Sequence, residues 1–190
     1  MKTIFAFDTA TAVTGCALVC DDEVVGERFT DARSVLAAAD ELTRAAGLAA
    51  HELDALVVGT GPGSFTSIRI GLATARGLAL ALDVPAAGVS TLRAFSRGMP
   101  VIDARRGEVF VDGPAVARPE QLDVAGRYLV GDGAVRYREV FEAAGAEVPP
   151  DDDTVHLPAA QRLIAYADGF GPADAIEPLY VRDPDARPGS

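Results

Sequence analysis

At 190 residues, 49% of them hydrophobic and 24% charged, the chain is long enough to bury a core of its own, as one large domain or two small ones. Its 28 acidic residues outweigh 17 basic ones and leave a net charge of −11. Proteins that grip RNA or DNA unaided present a basic face, so that role is excluded, whereas solubility or docking onto a basic partner is not.

The opening residues, Met-Lys-Thr-Ile-Phe-Ala-Phe-Asp, reach an acidic side chain too soon for a secretory signal. No apolar run reads as a membrane span. The expected location is the cytoplasm. Cys16 and Cys20 lie four apart in a strand-like run, which would separate their Cα atoms by about 13 Å. That is too far for a disulfide, and no histidine accompanies them as a metal ligand, so both read as buried small hydrophobes.

Residues 4–8, 16–20 and 24–29 read as three successive strands, apolar or β-branched and separated by turn residues. After Asp31 the period changes. Val35, Ala38, Ala39, Leu42, Ala45 and Ala46 share a helical face, and Gly47 ends the run. ALVVG at 55–59 is a short apolar strand of the kind buried in parallel sheets. A glycine-rich turn leads into a helix that runs to about residue 82, followed by a strand at 84–89 and a short helix capped by Ser90. The first hundred residues thus read β-β-β-α-β-α-β-α, one α/β layered unit.

Beyond residue 100, two short strands flank Arg105-Arg106-Gly107. A loop enters a helix at 117–123, a strand and turn occupy 127–134, and helices are predicted over 138–146 and 159–167. Residues 148–153 read as a linker, and the tail, PLYVRDPDARPGS, as frayed at its end. The expected division is 1–100 and 101–190.

GTGPGSFTSIRIGLATARGLALAL, residues 59–82, resembles a phosphate loop, because backbone N–H groups at a helix start attract anions. The chemistry fails on inspection. A Walker A loop needs Lys followed by Ser or Thr after its last glycine, and no lysine is present here. Counted from Gly61, the dinucleotide fingerprint loses its third glycine to Thr66. The plainer reading is a tight turn off strand 55–59, with Ser64 or Thr66 capping the helix. Inside that helix Ser67, Gly71, Ala75 and Ala79 form a ridge of small side chains, beside Ile68, Leu72 and Leu82. Each helical glycine costs about 1 kcal/mol, and there are two, Gly71 and Gly77. Close packing on the chain's own sheet would offset that cost, and so would docking of a second subunit.

Catalytic groups are sparse. His51 and His156 both sit in polar surroundings and read as solvated. Asp8-Thr9 and Asp103 are better placed, at strand ends, where α/β folds present functional groups and where carboxylates could serve a metal–phosphate site. No glycine adjoins Asp8, which weakens that reading.

The run GPGSFTSIRIGLATARGLA (61–79) resembles the TsaB (YeaZ) family, whose members carry GPGSFTGLRIG before a similar helix. The resemblance extends to the strand ending in Asp8-Thr9, to the turn before CALVC, to residues 103–109 and to residues 178–182. It is close over the first 110 residues and looser beyond. It implies an actin-like ATPase (ASKHA) fold of two RNase-H-like lobes with mixed sheets, the second lobe reduced. It further implies a non-catalytic partner of TsaD in forming N6-threonylcarbamoyladenosine in tRNA. On that view TsaE is the ATPase of the larger assembly, tRNA is met only through the complex, and the chain needs no cofactor, metal or membrane.

The expected TsaD contact is a four-helix arrangement through Leu36, Ala39, Ser67, Ile68, Gly71, Leu72 and Ala75, and the same patch could form a homodimer when TsaD is missing. Asp8, Thr9 and Asp103 would then be a vestigial nucleotide site. Two other classes stay open: an actin-like enzyme with its own nucleotide or metal site, glycoprotease-like or ATPase, and a self-associating module. The chain departs from the family pattern in four places. Ser67 replaces a glycine, Val35 directly follows Ala32-Arg33-Ser34 where a histidine and glutamate are usual, the stretch from Phe95 to Val101 is short, and a hairpin is missing after Phe110. The three shortened places are expected to be loops from which residues are absent.

Overall fold

A computed structural model describes residues 2–182. Five strands form the first sheet: β1 (Thr3–Asp8), β2 (Thr14–Cys20), β3 (Glu23–Thr30), β4 (Ala55–Gly59) and β5 (Ala86–Val89), in the order β3-β2-β1-β4-β5. The three N-terminal strands form an antiparallel meander, and β1, β4 and β5 run parallel. β1 is central and covered on both faces, which is why it reads as an unbroken apolar run.

Its side chains alternate between two cores. Phe5 and Phe7 point to one face, with Leu56 and Val58, under α1 (Val35–Ala45) and α2 (Phe65–Leu82). Ile4 and Ala6 point to the other, with Ala17 and Val57, where Phe95, Ile102, Phe110 and Leu163 meet them. Each large side chain buried in this way contributes about 1.5–3 kcal/mol.

α1 stops where the sequence predicts. Gly47 takes φ +72°, and the Leu48 N–H returns to the Thr43 carbonyl at 2.9 Å. α2 begins at Ser64, whose hydroxyl oxygen accepts the Ser67 N–H at 3.4 Å. It is 18 residues long, with a mean hydropathy of 1.2, enough by length and composition to cross a membrane. Ile68, Leu72, Ala75 and Ala79 nevertheless pack on the first sheet's core, as in the core helix of a folded layer.

The second sheet holds β6 (Met99–Arg105), β7 (Glu108–Val111), β8 (Ala115–Ala117) and β9 (Leu129–Val130), in the order β8-β7-β6-β9. It too is mixed, since only β6 and β9 run parallel. Its outer core gathers Val101, Val109 and Leu129 with residues from α3 (Asp132–Arg136) and α4 (Arg138–Ala143). α3 occupies a stretch expected to be a turn. A Cβ on Gly133 would lie 2.7 Å from the Ile102 backbone, so this glycine brings the helix against β6 instead of breaking it.

Other boundaries shift by a few residues. The helix expected after Ser90 is a 3-10 turn over Thr91–Ala94, the loop at 117–123 holds another over Pro119–Gln121, and the helix at 159–167 shortens to α5 (Gln161–Ile164). The linker at 148–153 is tied down by Arg138, which donates to the Val148 carbonyl at 2.6 Å and to Asp151 at 3.0 Å. The expected break between residues 100 and 101 falls inside β6, just after its start at Met99. Residues beyond 159 return to the first sheet: Leu163 joins the core on its Ile4 and Ala6 face, and Gly171 bridges Ala86. The fraying expected of the tail falls on 183–190, outside the described residues.

The three shortened connections are ordinary ones. Ser34 opens α1, Arg97 and Gly98 turn at φ +67° and +78°, and residues 112–114 close the β7–β8 hairpin.

Candidate functional site

The ends of β1 and β6, the start of α2 and residues 179–182 enclose a cleft of about 620 Å³ between the two sheets. It is lined by Thr11, Gly63–Ser67, Asp103–Arg105, Asp132 and Tyr180–Arg182, among others. This is where a nucleotide would be sought, and the three acidic or hydroxyl residues named from sequence do not assemble there.

Asp8 is fully buried and does not line the cleft. One oxygen accepts the Ala10 N–H at 2.8 Å, while Oδ2 lies where a Cβ on Gly59 would sit. Burial raises its pKa from 3.8 to about 6, and the Thr91 hydroxyl and the Ala10 N–H counter this only in part. The Thr91 hydroxyl stands close without a well-formed bond to Oδ2. Thr9 donates to the Ser67 carbonyl at 2.7 Å and so ties β1 to α2. Asp103 does reach the cleft, but it is engaged: Oδ1 accepts the Arg105 N–H at 2.9 Å, and Oδ2 lies 3.3 Å from the Arg105 guanidinium and 3.6 Å from Arg136. Asp132 accepts the Asp103 N–H at 3.0 Å, and burial raises its pKa. Among the described residues no cluster of three or more His, Cys, Asp or Glu could hold a metal.

Much of the glycine loop is committed to its own bonding. The Thr60 N–H goes to the Val89 carbonyl at 2.9 Å, Gly61 to the Thr91 hydroxyl at 3.0 Å and Ser64 to the Ala10 carbonyl at 2.7 Å, while Pro62 has no N–H. A Cβ on Gly63 would lie 2.2 Å from the Ala10 carbonyl oxygen. These glycines therefore serve close packing of the turn on β1. His51 is exposed as expected. His156 is not: its Nδ1 accepts the Gly131 N–H and its Nε2 faces the Pro149 carbonyl, both at 3.2 Å, in a buried clamp at the end of β9.

The expected partner surface needs a larger correction. Ile68, Gly71, Leu72, Ala75 and Ala39 are buried against the chain's own sheet, with Ile68 at 0% exposure. Ser67 is half-buried and bonded to Ser64. Of the seven, Leu36 is exposed, at 56%. The small ridge packs inward because a Cβ on Gly71 would stand 2.3 Å from the Thr9 hydroxyl, and any side chain there would push α2 off β1. A partner cannot reach these atoms without unpacking the core.

The opposite side of α2 is open. Thr66, Ala73, Gly77 and Leu80 are exposed and Ile70 is half-buried, at spacings of four, three, four and three. At 100° per residue these five share one stripe, the repeat that seats one helix against another. Leu80 is 86% exposed, and a Cβ on Gly77 would meet nothing within 4 Å. The fold therefore makes no use of Gly77. Gly77→Ala is expected to stabilise the isolated chain by about 1 kcal/mol, raising Tm by about 2–4 °C. A lower Tm in a thermal melt would show a contact that the structure lacks.

Residues 31–132 match the family described as TsaD, tRNA N6-adenosine threonylcarbamoyltransferase. The tRNA threonylcarbamoyladenosine biosynthesis protein TsaB of Escherichia coli (strain K12) is 30% identical over 221 positions, covering 95% of this chain and 94% of that protein. The chain belongs to the TsaB family. An uncharacterized protein of Mycobacterium leprae is 33% identical across 99% of the chain, which spans 57% of that relative's length. A Pseudomonas aeruginosa crystal structure described as similar to peptidase YeaZ superposes with a TM-score of 0.77 at 26% identity, over 96% of this chain and all of that one. Alignment over 221 positions against a 190-residue chain accords with connections shorter than in the TsaB relative.

Proposed function

We propose that this chain acts in forming N6-threonylcarbamoyladenosine in tRNA, as a non-catalytic partner of TsaD on an actin-like fold whose second lobe is reduced. The observation that carries this reading is the uncovered stripe on α2, Thr66, Ile70, Ala73, Gly77 and Leu80, on a helix whose other side is fully used by the core. Leu36 on neighbouring α1 is exposed as well. Two helices of TsaD laid on this pair would make the four-helix contact. The same face would join two copies when TsaD is absent.

The chain works in the cytoplasm on this reading and meets tRNA and TsaE through the complex. Its acidic composition and a glycine loop without the phosphate-binding lysine support a role that needs neither phosphate binding nor a grip on RNA. Co-expression with TsaD is expected to yield a stable complex on size-exclusion chromatography. The isolated chain should hydrolyse neither ATP nor peptides. Turnover abolished by Asp103→Ala would favour the enzyme reading instead.

A further inference from the structure

Residues 171–182 form a strap along α2 and the first sheet, its last four residues, Leu179–Arg182, line the cleft, and its bonds divide sharply. Gly171 exchanges two backbone bonds with Ala86, at 2.8 and 3.0 Å. Arg76 of α2 donates to the Ile176 carbonyl at 3.0 Å, and the Leu179 N–H goes to the Thr60 carbonyl at 2.8 Å. Arg69 of α2 donates to the Tyr180 hydroxyl at 3.1 Å and lies 3.8 Å above the Phe65 ring, which itself stacks on Tyr180 with centroids 4.6 Å apart. All of these anchors belong to the first sheet and α2. Arg182 goes the other way, donating to the Ala104 carbonyl of β6 at 3.1 Å and pairing with Glu108 of β7.

We propose that this strap is a latch between the two sheets, closed by Arg182, and that its closure strengthens docking of a partner on α2. The link is steric and electrostatic. Arg69 and Arg76 border the open stripe of α2, and the closed strap holds both guanidiniums along itself. That leaves the stripe apolar. Once the strap lifts, Arg76 loses its Ile176 carbonyl and Arg69 loses the Tyr180 hydroxyl, keeping only the Phe65 ring of its own helix, and both are free to hydrate beside Ala73 and Leu80, so an approaching helix must strip water from them. Coupling of this kind is reciprocal: a docked partner holds the latch shut by the same factor as the latch favours docking. The docking half rests on the TsaD reading, whereas the latch itself is a property of the chain alone.

Hydrogen exchange of the isolated chain reads the latch directly. Arg182→Ala should speed exchange of the Leu179 amide about tenfold or more, while the Phe5 and Phe7 amides in β1 stay protected, separating local release from global unfolding. Glu108→Arg should do the same, and the pair Glu108→Arg with Arg182→Glu should slow exchange again. Unchanged exchange at Leu179 in Arg182→Ala overturns the latch. TsaD should bind Arg182→Ala about tenfold more weakly than wild type, with recovery in the charge-swapped pair. Faster exchange with unchanged TsaD affinity overturns the coupling. If wild type does not bind TsaD at all, the TsaD reading fails, and the exchange result alone decides the latch.

Discussion

Gly71→Glu is expected to abolish the cooperative thermal transition of the isolated chain. Even a methyl at this position would stand 2.3 Å from the Thr9 hydroxyl and 3.4 Å from its two carbons. Thr9 cannot move aside. It is fully buried, and its hydroxyl holds the Ser67 carbonyl on the same helix. Overpacking by one methyl already costs about 1–3 kcal/mol, against about 1 kcal/mol gained from better helix propensity. A glutamate adds a buried charge with no partner, costing several kcal/mol more. The sum approaches the whole stability of a typical domain, about 5–15 kcal/mol. Circular dichroism melting checks it. A mutant that melts like wild type would mean that α2 does not pack on β1 as described.

The second large effect belongs to Asp8, and it depends on pH. Its folded pKa of about 6 lies above the ordinary 3.8 because burial strips water from the carboxylate. The folded chain therefore holds this proton more tightly than the unfolded chain. The stability associated with it is fully present below about pH 4 and is lost as pH rises through 6. Two units at 1.36 kcal/mol each amount to about 3 kcal/mol, withdrawn by pH 7–8. Asp8→Asn keeps an acceptor for the Ala10 N–H and removes the titration. It should match wild type in urea denaturation at pH 4 and exceed it by up to about 3 kcal/mol at pH 8. A difference that does not change with pH would show that the carboxyl is hydrated or paired in solution.

The strand–helix order of the first hundred residues was legible because both periods are clean there. β1 alternates Phe5 and Phe7 against Ile4 and Ala6, and α1 repeats its apolar residues at helical spacing up to Gly47. The second half was less legible for a physical reason. Its elements are short, such as β9 at two residues and α5 at four, and tertiary contacts define them more than any local pattern. Gly133 shows this well: as a glycine it predicts a turn, and only the backbone of β6 lying against it explains a helix.

The site was half legible. That the loop at 59–63 matches neither phosphate-binding pattern follows from the missing lysine and from Thr66 in place of the fingerprint's third glycine. The side of α2 that meets the core does not follow from small residues, since both stripes contain them and each has a glycine. The better signal was the large residues: Ile68 and Leu72 flank Gly71 and mark that side as the sheet face. Thr66, Ile70, Ala73, Gly77 and Leu80, at four–three spacing, make up the side that the core leaves open. His156 was misplaced because the acidic residues before it conceal a buried clamp.

The central claim is that the outer stripe of α2 receives TsaD, and calorimetric titration of TsaD into the wild-type chain and Leu80→Glu tests it most directly. Leu80 touches little in the isolated chain, so the variant should melt within a few degrees of wild type. At a desolvated helix contact the new charge would cost several kcal/mol, weakening binding at least about a hundredfold at 1.4 kcal/mol per tenfold. The account predicts tight binding by wild type and that loss in Leu80→Glu with folding intact. Equal affinity of the two chains for TsaD would contradict it.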